Sequence, residues 1–240
     1  MPPLILNTRP VADSEGLLAA LQGYGYRTLS APMLEIVLTP RTSDIDLFGV
    51  QALVFTSANG VRAFVAACER RDLPVLSVGD ATARMARMAG FDDIQSAAGD
   101  IQDLAALITA KIDPHKGSLY HPAASQPAGD LATMLAGTGY EIRRETLYEA
   151  QPVNDFSPEV LDALTRHQID AVLFFSPRTA QSFVKVVAHY KMDAAIRHIQ
   201  AFCLSQAVKD RLSPLTWQEI HVARQPTQEH LLLTLASVIA

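Results

Sequence analysis

The chain has 240 residues, 49% of them hydrophobic and 19% charged, with a formal net charge of −5. This is the composition of an ordinary globular protein, long enough for one large or two small cores. It supplies no basic field for nucleic acid or anionic lipid, and no apolar run approaches a membrane span, so neither nucleic acid nor a membrane is expected as a partner.

The opening MPPLILNTRP has no basic start and no long apolar core, so no signal peptide is expected. Leu4–Leu6 read as a first strand, followed by Asn7-Thr8-Arg9-Pro10. Arg9 at that strand end suits an acidic ligand or a surface salt bridge. A helix from Leu17 ends at Gly23-Tyr24-Gly25, a stop signal rather than a dinucleotide loop, and a strand follows toward Glu35. Ala52–Phe55 is an apolar strand that hands over, through Thr56-Ser57-Ala58-Asn59-Gly60, to a helix with Val61, Phe64 and Val65 on one face. Ser57 fits a helix N-cap, and Asn59 and Gly60 add ligand potential through an amide and exposed N–H groups. Val75–Val78 is a strand that delivers Gly79-Asp80-Ala81-Thr82, where Thr82 either caps the next helix or offers its hydroxyl. Asp100 is a capping candidate. A helix from Leu131 is followed by a strand that ends near Tyr148. In the last third, Ala171 to Val184 reads strand, loop, helix, with Ser176 as a cap and Arg178 as a guanidinium fork for carboxylate. Thr227 opens the final helix.

These units repeat. Ala52–Val65 aligns with Ala171–Val184 at an offset of 119, matching Ser57 with Ser176 and Phe64 with Phe183. The segment from Leu17 aligns with that from Leu131 at an offset of 114, matching Gly25 with Gly139 and Tyr26 with Tyr140. Weaker pairs join Val75 onward with Ala201 onward, and Gly99 onward with Pro226 onward. Alternating strands and helices predict two α/β, flavodoxin-like domains with parallel sheets covered by helices. The order of the repeats places residues 38–148 as a domain inserted into one made of 1–36 and 150–240. Two strand crossings, near Glu35-Ile36-Val37 and Leu147-Tyr148-Glu149, would form a hinge beside a substrate cleft.

Several familiar sites are missing from the sequence: GxxxxGK[ST], GxSxG and any convincing metal spacing among the seven histidines. No metal is expected. Cys68 and Cys203 sit in no CxxC pair, which fits a reducing, cytoplasmic setting.

Thr8-Arg9-Pro10, FTSANGVRAF, VGDATARM, a tyrosine closing the middle segment, FFSPRTAQSF and the late Pro226-Thr227-x-Glu229-x-Leu231 occur in this order. As a set they resemble the uroporphyrinogen-III synthase family over essentially the whole chain. The resemblance implies an enzyme without a cofactor. It would close hydroxymethylbilane, a linear tetrapyrrole with eight carboxylates, into uroporphyrinogen III, inverting ring D and losing water. It also implies Tyr148 as the group assisting hydroxyl loss, and Thr8, Arg9, Ser57, Asn59, Thr82, Ser176, Arg178 and Thr227 as substrate contacts. One departure stands out: Ser205 occupies a family glycine and Val208 a family threonine, which favours recognition by backbone. A monomer is expected. The alternative is a non-enzymatic two-domain binding or sensor protein for a small anion.

Overall fold

The computed structural model describes residues 1–126 and 129–239. In chain order the strands are β1 (Leu4–Asn7), β2 (Arg27–Ser30), β3 (Leu34–Leu38), β4 (Val50–Phe55), β5 (Val75–Ser77), β6 (Ile94–Ser96), β7 (Ser118–Ala124), β8 (Ile142–Pro152), β9 (Ala171–Phe174), β10 (Gln200–Cys203) and β11 (Glu219–Val222). The helices are α1 (Glu15–Gly23), α2 (Ala58–Ala67), α3 (Asp80–Met88), α4 (Ile101–Lys111), α5 (Leu131–Met134), α6 (Pro158–Thr165), α7 (Pro177–His189), α8 (Asp193–Ile196), α9 (Gln206–Asp210) and α10 (Gln228–Val238). The chain divides into two compact units, Met1–Glu35 with Gln151–Ala240, and Ile36–Ala150. Both points of division fall inside strands, β3 and β8.

The first unit is a five-stranded sheet in the order β11-β10-β9-β1-β2, with every paired register parallel. β1 and β9 are buried along their whole length, as expected of strands covered on both faces. One face carries an aromatic group of Phe156, Phe174, Phe183 and Trp217 within a large apolar cluster. The other packs Leu17 and Leu21 of α1 and Leu231 and Leu235 of α10 on Ile5, Leu173 and Phe202.

The second unit is a six-stranded sheet, β3-β8-β7-β4-β5-β6. Phe55, Phe64, Phe91 and Tyr120 fill one face; Val54, Leu76, Leu104 and Leu119 fill the other. Its strand order follows the sequence repeats. If β4, β5 and β6 replace β9, β10 and β11, and β7 and β8 replace β1 and β2, one sheet becomes the other, with β3 added at the edge. The two units are therefore cyclic permutations of one plan. That accounts for two different offsets in the repeats.

Local chemistry fixes the element ends. Ser57 and Ser176 are both N-caps, accepting the N–H of Gly60 at 3.2 Å and of Thr179 at 3.1 Å. Asp100 and Thr227 cap α4 and α10. Gly25, rather than Gly23, stops α1. It has φ +81°, and the N–H groups of Gly25 and Tyr26 close back on Gln22 and Leu21, the left-handed exit that glycine permits. The helix from Leu131 is only one turn long, so its likeness to α1 does not extend to length. Thr82 is not a cap: Gly79 holds that position, and Thr82 lies three residues on with its side chain buried. Ser205 and Val208 hold the matching places at α9, and Val208 is buried.

Gly60 is required by contact. A Cβ there would lie 2.8 Å from the carbonyl oxygen of Pro122 on β7. Gly60→Ala is expected to cost about 1–3 kcal/mol of stability, the usual penalty of overpacking, read as a lower urea midpoint. An unchanged midpoint would show that α2 slides freely over β7.

Candidate functional site

In each sheet the order reverses at one point. In the first unit β1 and β9 are neighbours, but β2 lies on one side of them and β10 on the other. In the second unit β4 and β7 are the corresponding pair. Open α/β sheets bind ligands beyond the strand carboxyl ends at such switch points. Asn7-Thr8-Arg9 and Phe175-Ser176-Pro177-Arg178 follow β1 and β9; Thr56-Ser57-Ala58-Asn59 follows β4.

Thr8 is fully buried and donates its hydroxyl to the Leu173 carbonyl at 2.7 Å, tying β1 to β9. That donor is spent inside the fold. Arg9 is half-buried. Its backbone N–H donates to Asn7 Oδ1 at 3.0 Å, and a terminal nitrogen donates to Gln228 Oε1 at 2.7 Å. The guanidinium carbon lies 4.5 Å from the centre of the Phe175 ring. Burial lowers the Arg9 pKa, and the charge of Asp13 opposes that shift. Ser176 forms a capping box with Thr179. Arg178, in the first turn of α7, is exposed. Thr227 is exposed and accepts the His230 N–H at 3.3 Å. The structure therefore gathers Arg9, Phe175 and the start of α10, residues far apart in sequence. Phe175 and Gln228 carry no signal in the sequence beyond lying next to Ser176 and Thr227.

In the second unit Tyr148 on β8 packs in the cluster that holds Phe55, Phe64 and Leu147. Its hydroxyl is 2.7 Å from Ser57 Oγ. Ser57 Oγ also accepts the Gly60 N–H. A hydroxyl that accepts from backbone can still donate, so Ser57 and Tyr148 make a two-hydroxyl chain fixed by a helix start at one end. Asn59 Oδ1 accepts from Arg62 at 2.5 Å. Thr82 stands on α3, behind the neighbouring strand β5. Next to Ser57, Thr56 Oγ1 lies 3.1 Å from Nε2 of His121. His121 is buried on β7, and its pKa is pushed down to about 4, mainly by burial and then by the charge of Arg144, with Asp130 opposing. It is neutral at physiological pH. Its place after the apolar pair Leu119-Tyr120 is the one hint in the sequence that it is buried.

Among the described residues no group of three or more His, Cys, Asp or Glu is placed to hold a metal ion. No helix there is long and apolar enough to cross a membrane. A cavity of about 440 Å³ in the second unit, lined by Thr39, Arg41, Ser43 and Ala63 among others, contains none of the site residues named from the sequence.

A family model described as uroporphyrinogen-III synthase HemD matches residues 15–232. The uroporphyrinogen-III synthase of Chlorobaculum parvum is 26% identical over 211 residues, covering 80% of this chain and 82% of that protein. A porphyrin biosynthesis protein HemD of Ruminiclostridium josui is 22% identical over 214 residues; the match spans 83% of this chain but 42% of that longer protein. Among solved structures, the uroporphyrinogen-III synthetase of Helicobacter pylori superposes with a TM-score of 0.65 at 17% identity, covering 99% of this chain and 100% of that one. A mutant uroporphyrinogen III synthase of Thermus thermophilus gives 0.52 at 18% identity, covering 98% and 96%. At such identities the structural likeness is one of fold.

Proposed function

From the premise that the chain belongs to the uroporphyrinogen-III synthase family, we propose that it cyclises hydroxymethylbilane to uroporphyrinogen III, with Tyr148 as the proton donor and the two switch points as carboxylate-binding surfaces. The enzyme is a cyclising lyase of tetrapyrrole biosynthesis. The binding-protein alternative finds no support among its relatives.

The observation that carries the assignment of Tyr148 is the 2.7 Å contact between its hydroxyl and Ser57 Oγ. In the first step the bond from the terminal hydroxymethyl carbon, at the end of the chain opposite ring D, to its hydroxyl breaks. The phenol proton passes to the departing oxygen, which leaves as water, and the pyrrole nitrogen supplies the electron pair that makes an azafulvenium cation, balanced by the phenolate. Ser57, donating to the phenolate oxygen, would stabilise the charge left on Tyr148. The substituted carbon of ring D then attacks that electrophilic carbon to form a spiro intermediate, which fragments and recloses with ring D reversed. The last proton lost on closure returns to the phenolate, so the cycle releases one water and no net proton.

A substrate with eight carboxylates needs many weak holds. Arg9 and Arg178 of the first unit, with Ser176 and Thr227, would take one part of it; Ser57, Asn59 and the first turn of α3 near Thr82 would take another. We assign parts of the substrate to the strand ends of each unit. Holding the chain ends in a near-attack arrangement is worth up to about 7–11 kcal/mol, more than one general acid supplies. The assigned residues all come from one chain, so a monomer is the proposed working form. The two free cysteines suit a reducing cytoplasm.

A coupled assay with freshly generated hydroxymethylbilane, separating type III from type I product, tests the activity. Predominant type III product is expected. Type I product alone would refute it.

A further inference from the structure

Arg9 is held in an unusual way for a half-buried cation. Its flat face lies over Phe175, with the guanidinium carbon 4.5 Å from the ring centre. Stacking of this kind fixes the plane of the guanidinium and leaves its edges available. One edge is used: a terminal nitrogen donates to Gln228 Oε1 at 2.7 Å. The acceptor is a neutral amide, so it orients the guanidinium without cancelling its charge. Arg9 makes no ion pair among the described residues, although Asp13 is near enough for its charge to act on it. Burial works against the charged form, and an unpaired cation in a partly dry place is costly unless an anion arrives. Guanidinium has five N–H donors, and a fork of two of them matches a carboxylate. Phe175 follows β9, Gln228 opens α10 and Arg9 follows β1, so three separate elements converge on this one group.

We propose that Phe175 and Gln228 are positioning residues that hold the Arg9 guanidinium flat and charged, with a free donor edge turned to one carboxylate of the substrate. The proposal rests on the family reading, which supplies that carboxylate. It makes a specific demand on residue 228: the acceptor must be neutral. A glutamate there would preserve the contact geometry, and even strengthen it, but would occupy the charge meant for the substrate.

The test is steady-state kinetics of Q228E, Q228A, F175L, F175Y and R9Q with hydroxymethylbilane from a coupled generator, with type III and type I products separated and Tm measured for each variant. Q228E is expected to raise KM by about tenfold, the scale of one charge-assisted contact, with kcat nearly unchanged and Tm equal to or above the parent. R9Q should raise KM similarly. Q228A and F175L should do so more weakly, and F175Y, which keeps the stacked ring, should restore the parent KM. A parent enzyme that makes no type III product would refute the family activity itself. A parent that does, with KM unchanged in Q228E or R9Q, or with the loss confined to kcat, would overturn the positioning role alone.

Discussion

Tyr148→Phe should lower turnover by about 10²–10⁴-fold, the contribution of a positioned general acid, while the protein stays folded. The substitution removes one oxygen and keeps the ring that packs with Phe55, Phe64 and Leu147. The lost hydroxyl has a defined partner, Ser57 Oγ at 2.7 Å, and that partner retains the Gly60 N–H as its second contact. Ser57 keeps that contact, so the stability change should be small. Ser57→Ala separates the two roles of the serine. It removes an N-cap, worth about 0.5–2 kcal/mol, and also the hydroxyl that would steady the phenolate. If Ser57 acts only as a cap, Ser57→Ala will lower Tm and leave kcat alone. If the hydroxyl chain is real, kcat falls in both variants, and the double variant falls by less than the product of the two effects. Unchanged turnover in Tyr148→Phe would remove Tyr148 from the mechanism.

Acid should destabilise the second unit through His121. In the fold its pKa is about 4, against 6.5 for the free side chain. Between those values the unfolded chain binds a proton that the folded chain refuses, so stability rises with pH across the window and is lost as pH falls through it. The limiting loss is about 3 kcal/mol on reaching the lower value, and about 2 kcal/mol between pH 7 and pH 5. Burial is the main cause and Arg144 the second, while Asp130 works the other way. His121→Gln keeps a side chain able to meet Thr56 Oγ1 but does not titrate. Urea unfolding of parent and variant at pH 7 and pH 5 should show a smaller pH dependence in the variant. Equal slopes would mean that His121 is protonated in the fold, and that Thr56 and the loop after β4 are held in another way.

A residue is legible in the sequence to the extent that it belongs to a local regularity. Ser57 and Ser176 stand out in the sequence because a cap, an apolar strand before it and an apolar helix face after it are all local patterns. The permuted order of the sheets was also legible, since repeats at two offsets demand it. The length of the helix from Leu131 was not: one turn and a left-handed Gly137 replace what the likeness to α1 implies. Whether Thr82 caps or faces a ligand depends on where α3 begins, and α3 begins at Asp80, with Gly79 at the N-cap and no side-chain cap. The contacts that give the candidate site its chemistry are long-range. Ser57 meets Tyr148 across 91 positions, and Arg9 meets Gln228 across 219. Such pairs follow from strand order and register, and a single sequence carries no local trace of them.

The permuted arrangement also constrains how the chain is made. The middle unit is contiguous, so its sheet can close as soon as residue 150 has left the ribosome. The first unit cannot: β1 must wait for β9, and the Leu4 N–H bonds to Asp170, 166 positions later. During synthesis the β1-α1-β2 segment therefore emerges with Ile5 and Leu6 uncovered and one strand edge unpaired, a state prone to wrong pairing. The inserted unit folds while that segment waits, and its completion returns the chain through β8 beside β3, close in sequence to the waiting strands. A released chain ending near residue 155 should accordingly protect 36–150 from protease while residues 1–35 remain cleavable, making the insertion the first part of the protein to become native.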